Sequence, residues 1–162
     1  AAPAAAAAAA GDAGGMWYGD SEEHVTQWFP VLTGLSRLTT DPRLRVRSGA
    51  VEELFAILLD YGRRFEPGLW SLVFPGVLLP MFDDVHYGEE SAGAPPDAWI
   101  RTTCPQALEA LVGLLTTFFD SCSAMLQPVL GLLAGCVGHR DLQLAEFGVA
   151  SLKQLLASVG GR

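Results

Sequence analysis

A chain of 162 residues can bury a core without disulfide staples, and half of this one is hydrophobic. Only 17% of it is charged and the net charge is −8, which excludes a general nucleic-acid binder. The three cysteines, Cys104, Cys122 and Cys136, are an odd count without a CxxC pair, which argues against a disulfide framework and a zinc site and fits a reducing compartment.

The opening "AAPAAAAAAAGDAGG" has no basic flank and carries Pro3, so it makes a poor signal peptide. Residues 1–23 are expected to form a low-complexity Ala/Gly-rich linker, and residues 24–160 a helical-repeat segment. The chain does not open on methionine, and it is expected to be a piece of a longer protein. No apolar run reaches the roughly 20 residues that a membrane span needs.

From His24 to Leu38 the apolar residues Val25, Trp28, Phe29, Val31, Leu32, Leu35 and Leu38 recur at helical spacing. Pro30 lies within this run, and a helix start near it is expected. "TTDP" then stops and restarts the chain, with Asp41 the expected N-cap and Pro42 at the first helical position. The second helix is expected to end at Tyr61, with Gly62 just beyond it in the left-handed cap role. Pro67 opens a third, in which Trp70, Val73, Phe74, Val77, Leu78, Met81 and Phe82 form a full apolar stripe. Pro75 and Pro80 inside this stripe predict a kink or a break. An acidic Gly/Pro-rich loop is expected at about 86–97, followed by a helix from Ala98 to Phe119. "SCSAMLQPVLGLLAGCVGHRD" and "LQLAEFGVASLKQLLASVG" give a fifth and a sixth. No run alternates polar and apolar residues long enough to be a strand, so the chain reads as all-α.

The second helix raises the one sharp question. Arg43, Arg45 and Arg47 stand at alternate positions just before its apolar run. With Val46 as the origin and about 100° per residue, Ile57, Ala50, Tyr61, Leu54, Leu58, Val51, Phe55 and Leu59 spread over an arc of roughly 220°. A helix on the surface of a simple bundle needs only about 100°. Arg45 falls on the remaining polar face, whereas Arg47 falls near about 100°, inside the apolar arc. A charge placed there needs a partner. Asp41 and the polar start of a neighbouring repeat are the expected acceptors, which makes Asp41 and Arg47 a candidate structural seam. Arg37, Arg43, Arg45, Arg63 and Arg64 leave this half locally basic. They are the candidate interaction surface, weighed against a solvated face paired to Glu52, Glu53 and Asp60.

An Asp in the turn, then Val-Arg, a small residue and a Leu-rich stripe resembles the second helix of a HEAT repeat. Ala50 follows Asp41 at nine residues, and Ala150 follows Asp141 at the same distance. The chain divides into about three antiparallel helix pairs, 24–62, 67–120 and 123–159, as expected of a HEAT/armadillo-like solenoid in which each pair covers its neighbours.

The motifs "DPRLRVRSGA", "LLDYGRRFEPGLW", "VLLPMFD" and "WIRTTC" carry a further likeness. From Trp28 to Gly160 the chain resembles a conserved helical region downstream of the catalytic domain in the large guanine-nucleotide exchange factors for Arf GTPases, the brefeldin-A-inhibited class of the Golgi. The resemblance implies a regulatory or scaffolding segment, cytoplasmic and peripheral to Golgi or trans-Golgi membranes. It implies as partners the other domains of the same exchange factor, Arf-family GTPases or Golgi regulators, and anionic membrane in peripheral contact. The catalytic domain of that family pushes a Glu-bearing loop into the nucleotide site of the GTPase. No Phe-Arg-x-Pro-Gly-Glu stretch occurs here, so the segment is expected to be non-catalytic and to need no cofactor. A helical-repeat adaptor or Golgi scaffold without exchange activity is the alternative.

The remaining candidates have plainer readings. Asp83, Asp84 and His86 in "FDDVH" suggest a metal corner, but consecutive carboxylates on a helix point to different faces. Cys104 reads as a packed thiol, since the sequence places no activating His or acid beside it. His24 and His139 fall at helix ends, and Glu89 and Glu90 in the acidic loop. The last helix keeps Leu142, Leu144, Phe147, Leu152, Leu155, Leu156 and Val159 with only Glu146 and Lys153 as charges, so exposed apolar surface and self-association are expected at that end.

Overall fold

A computed structural model of the chain describes residues 17–83 and 96–160. Within them the chain is all-α, and among the described residues the only β pairing is an isolated parallel bridge between Tyr18 and Phe65. The helices are α1 (Glu22–Leu38), α2 (Leu44–Tyr61), α3 (Pro67–Val73), α4 (Pro96–Thr117), α5 (Phe119–Cys122), α6 (Leu126–Val137) and α7 (Leu142–Val159). Helices α2, α4 and α7 lie side by side, α1 backs α2, and α6 backs α7. This is the stacking of helix pairs that a repeat array needs.

Helix α1 begins at Glu22, so the linker boundary expected at 23 falls inside it, and residues 1–16 lie outside the described residues. Two backbone bonds explain the early order. Tyr18 N–H donates to Arg64 O at 2.7 Å, and Glu66 N–H donates to Tyr18 O at 2.8 Å. The Tyr18 ring then stands edge-on to Trp28 at 5.1 Å and to Phe65 at 6.0 Å. Pro30 sits inside α1 rather than at its start. It and Thr26, whose carbonyl a residue at 30 would normally engage, are both exposed, a place where a helix tolerates the missing bond.

The start of α2 also differs from expectation. Its N-cap is Arg43, with φ −82° and ψ 115°, and the helix opens at Leu44. Asp41 closes a tight turn ahead of it, Oδ1 accepting from Arg43 N–H at 2.8 Å. That bond satisfies the Arg43 N–H through the preceding turn and delays the helix by two residues relative to the expected Pro42 start. The buried stripe of α2 is Arg47, Ala50, Val51, Leu54, Phe55 and Leu58, an arc of roughly 140° instead of 220°. Leu59, at its edge, and Tyr61, at the last position of the helix, are exposed. Helix α2 packs on α1 and α4 and leaves its other flank open, which accounts for the narrower stripe.

Gly62 follows α2 with φ −59°, so it is not a left-handed cap. Glycine is required there for space. A Cβ would stand 2.7 Å from Trp70 Cζ2 and 2.8 Å from Phe118 Cε2.

The third apolar stripe is buried along its whole length, from Trp70 to Phe82. It is not one helix. After α3 the backbone widens into a π turn over Phe74–Leu78 and then tightens into a 3-10 turn over Leu79–Phe82. The two prolines, Pro75 and Pro80, each open one of these irregular turns, because neither can donate the bond that a regular helix requires. The π turn lies against α1, where Ser36 Oγ donates to Val77 O at 2.8 Å. The acidic loop expected at 86–97 falls mostly on residues outside the described ones.

The expected fifth helix is likewise divided into α5, a 3-10 turn at Ser123–Met125, and α6. Taken together, Phe119–Val137 is long and apolar enough to cross a membrane, with mean hydropathy 1.3, contrary to the reading of the sequence in single runs. Part of that apolarity serves the core: Val129, Leu132, Leu133 and Cys136 of α6 are buried. At Gly148 a Cβ would lie 3.0 Å from both Cys136 Cβ and Val137 N, so glycine lets α7 approach the α6 backbone. Asp141 caps α7 in the ordinary way, Oδ1 accepting from Leu144 N–H at 3.1 Å.

Candidate functional site

Arg47 is 4% exposed, on the first turns of α2, where that helix meets α4. Its Nε donates to Thr103 Oγ1 at 2.8 Å and its Nη2 to Thr102 Oγ1 at 3.1 Å. Its Nη1 donates to Pro42 O at 3.0 Å and more loosely to Asp41 O at 3.4 Å. The guanidinium is thus held by neutral acceptors spread around its planar fork. The Asp41 carboxylate, the acceptor expected from the sequence, turns instead to Arg43. Arg43 Nε and Nη2 donate to its two oxygens at 2.9 Å each. This paired contact, aided by the Arg43 N–H, holds the Asp41 carboxyl down to about 2. Asp41 and Arg47 therefore share one junction, joined only through the Asp41 carbonyl.

The segment "WIRTTC" at the start of α4 organises this junction. The Trp99 indole N–H donates to Thr39 O, in the α1–α2 turn, at 2.9 Å. Thr102 and Thr103 receive Arg47. Ile100 and Cys104 are buried in the core. Arg101 points the other way and pairs with Asp141 at the N-cap of α7, at 3.5 Å. That pairing and the Leu144 N–H, the latter foremost, lower the Asp141 carboxyl. One short stretch thus joins the turn of the first pair to the cap of the last. Between α4 and α7 a groove of about 410 Å³ is lined by Ile100, Arg101, Pro105, Leu144, Glu146 and Phe147, among others. The residue types of the threonine pair gave no sign in the sequence, because two threonines on one helix turn carry no periodic signal. Only their place in a motif pointed to them.

The basic residues do not form one patch. Arg37, Arg43 and Arg45 are exposed around the α1–α2 turn. Arg63 and Arg64, also exposed, lie beyond the other end of α2, about 27 Å away along an 18-residue helix. Asp83 is exposed, while Asp84, His86, Glu89 and Glu90 lie outside the described residues. His24 Nδ1 accepts from Gly19 N–H at 2.9 Å, and His139 Nδ1 from Asp141 N–H at 3.0 Å, so both imidazoles serve turns. All three cysteines are free and buried. A hydrogen bond between its thiol and that of Cys136, together with burial, pushes Cys104 well up, and burial alone pushes Cys122 up to about 12.

The class is then an all-α helical-repeat segment whose best-built polar site is a joint between helix pairs. No solved structure matches the chain. Residues 28–159 match the family model described as the GBF1-like, tetratrico peptide repeat region, and the chain belongs to that family. Brefeldin A-inhibited guanine nucleotide-exchange protein 3 of Arabidopsis thaliana is 34% identical over 153 residues, 87% of this chain and 9% of that protein. ADP-ribosylation factor guanine nucleotide-exchange factor SEC7 of Saccharomyces cerevisiae is 33% identical over 134 residues, 80% of this chain and 7% of that protein. Brefeldin A-inhibited guanine nucleotide-exchange protein 1 of Homo sapiens is 29% identical over 133 residues, 82% of this chain and 7% of that protein. The chain thus corresponds to a small segment of Arf exchange factors.

Proposed function

We propose that the chain is a non-catalytic regulatory or scaffolding segment of an Arf guanine-nucleotide exchange factor that acts in Golgi vesicle transport. The observation that carries this reading is the use made of the motifs on which the resemblance to that family rests. "DPRLRVRSGA" and "WIRTTC" meet across a helix joint, where Arg47 of the first donates to Thr102 and Thr103 of the second. Residues employed in this way fix the relative placement of helix pairs, which is what a segment positioning other domains requires. Its partners are then the other domains of the same exchange factor, together with Arf-family GTPases or Golgi regulators. Arg37, Arg43 and Arg45 at the α1–α2 turn offer a small basic surface to anionic membrane. The location is cytoplasmic, at the surface of Golgi or trans-Golgi membranes. The names of the relatives favour this reading over a general adaptor without exchange activity.

The test is a fluorescence assay of nucleotide release from Arf GTPases with the isolated chain, then with a parent exchange factor carrying Arg47→Ala. The chain alone is expected to leave the release rate unchanged. In the parent, the substitution is expected to alter activity on membranes. Dose-dependent acceleration by the isolated chain would overturn the non-catalytic reading.

A further inference from the structure

The chain reaches α1 through a short strap, and the strap rests in a site that holds together without it. Of residues 17–23 only Tyr18 and Gly19 are withdrawn from solvent. Tyr18 N–H donates to Arg64 O and its carbonyl accepts from Glu66 N–H, a parallel bridge made on a single residue. Gly19 N–H donates to His24 Nδ1 at 2.9 Å. The Tyr18 ring stands edge-on to His24, Trp28 and Phe65, at 5.4 Å, 5.1 Å and 6.0 Å.

The receiving groups keep their places by other bonds. Phe65 N–H donates to Gly62 O at 3.1 Å and Trp70 N–H to Glu66 O at 3.2 Å, which fixes the corner between α2 and α3. Phe65 packs on Trp70 at 5.2 Å and on Trp28 at 5.4 Å, and Trp28 packs on Tyr61 at 5.0 Å. None of these contacts passes through Tyr18. With the strap lifted there remain a carbonyl, an N–H and an aromatic seat at a fixed spacing. A site of this form takes an extended peptide as an added strand, with main-chain bonds for affinity and a side-chain seat for selectivity. The seat suits an aromatic ring offered edge-on. At Gly19 a Cβ would stand 2.5 Å from Glu66 Oε2, so a larger residue after the aromatic one has to displace that carboxylate.

We propose that His24, Trp28, Phe65 and the Arg64–Glu66 backbone form a recognition site for an extended aromatic–glycine segment, occupied in cis by Tyr18 and Gly19 as a detachable latch. Its hold comes from few bonds and from the tether, which keeps the segment at an effective concentration on the order of millimolar. The latch therefore opens while the helices stay folded. Closed, it fixes the path on which the chain enters α1. Open, it bares Trp28 and Phe65 and offers the site to a segment of the same kind in trans.

The probe is a capped peptide of sequence Trp-Tyr-Gly-Asp-Ser, titrated to several millimolar against the full chain and followed through backbone and indole N–H signals by NMR. In Tyr18→Ala the seat is empty. That variant is expected to keep its helical circular dichroism and to bind the peptide, with the largest shifts at Phe65, Glu66 and the Trp28 indole. The wild-type chain, its seat filled in cis, and Tyr18→Phe, which keeps the ring, are expected to bind the peptide at least about tenfold more weakly. A peptide with alanine in place of tyrosine is expected to bind none of the three. Loss of helical structure in Tyr18→Ala would overturn the latch, because the strap would then be part of the core. No binding to Tyr18→Ala would overturn the site. Equal binding to all three chains, or equal binding of the alanine peptide, would overturn the assignment of the seat.

Discussion

Arg45 stands in water and Arg47 between helices, although they share a charge and lie on the same turn of α2. The difference is one of phase. Two residues turn the helix by about 200°, enough to move a side chain from the solvent face into the joint. Removing Arg45 takes away a solvated charge, and a change within about 0.5 kcal/mol is expected. Removing Arg47 leaves Thr103 Oγ1 buried without its donor and empties the space filled by the arginine stem. A cost on the order of 1–3 kcal/mol is expected. Denaturant unfolding of Arg45→Ala and Arg47→Ala gives the comparison. A double-mutant cycle of Arg47→Ala with Thr103→Val should show coupling, and Arg45→Ala with Thr103→Val should show none. Equal stabilities for the two arginine variants would contradict the joint. The phase of Arg47 was legible in the sequence because it follows from counting along one helix. Its acceptors were not, since Thr103 lies 56 residues away and nothing local ties the two. The Asp41 carboxylate was the near candidate, but Arg43 is closer still and takes it with two parallel bonds.

Among the elements, those with long apolar stripes were readable and their ends were not. The stripe from Trp70 to Phe82 keeps a helical period even though the backbone passes through α, π and 3-10 turns, because burial selects the side chains whichever turn presents them. The prolines signalled a break in that stripe and a false start in α1. All three prolines are exposed, so exposure does not separate the regular helix around Pro30 from the irregular turns at Pro75 and Pro80. Gly62 shows a second kind of ambiguity. Its position after α2 suggested a backbone role, and only the packed rings of Trp70 and Phe118 reveal a steric one. Gly62→Ala is therefore expected to destabilise the chain by about 1–3 kcal/mol, although its backbone conformation suits alanine. Thermal unfolding monitored by circular dichroism checks it. A neutral or stabilising result would mean that the rings move aside at little cost. Gly49, within α2 and with open space around its Cβ position, serves as the control.

At the scale of the whole molecule, the all-α character was legible from the helical periods, but the marks that suggested a repeat are not equivalent in the structure: Asp141 caps α7 and Ala150 is exposed, whereas Asp41 does not cap α2 and Ala50 is buried. How firmly the pairs hold one another was not legible, since Arg47 of the first pair is matched by Phe147 in the last. The two joints made by α4 are unequal. Toward α2 it bonds through Trp99, Thr102 and Thr103, at 2.9 Å, 3.1 Å and 2.8 Å. Toward α7 its polar link is the Arg101–Asp141 pair at 3.5 Å, beside an open groove. In a linear array, cooperativity passes from unit to unit only as far as each interface couples them. The chain should therefore open from one side. Native-state hydrogen exchange is expected to show the amides of α6 and α7 released in a partial unfolding reaction, at lower free energy and with a smaller denaturant dependence than those of α2 and α4. A single common exchange free energy across the helices would mean that the weaker joint transmits unfolding as fully as the stronger one.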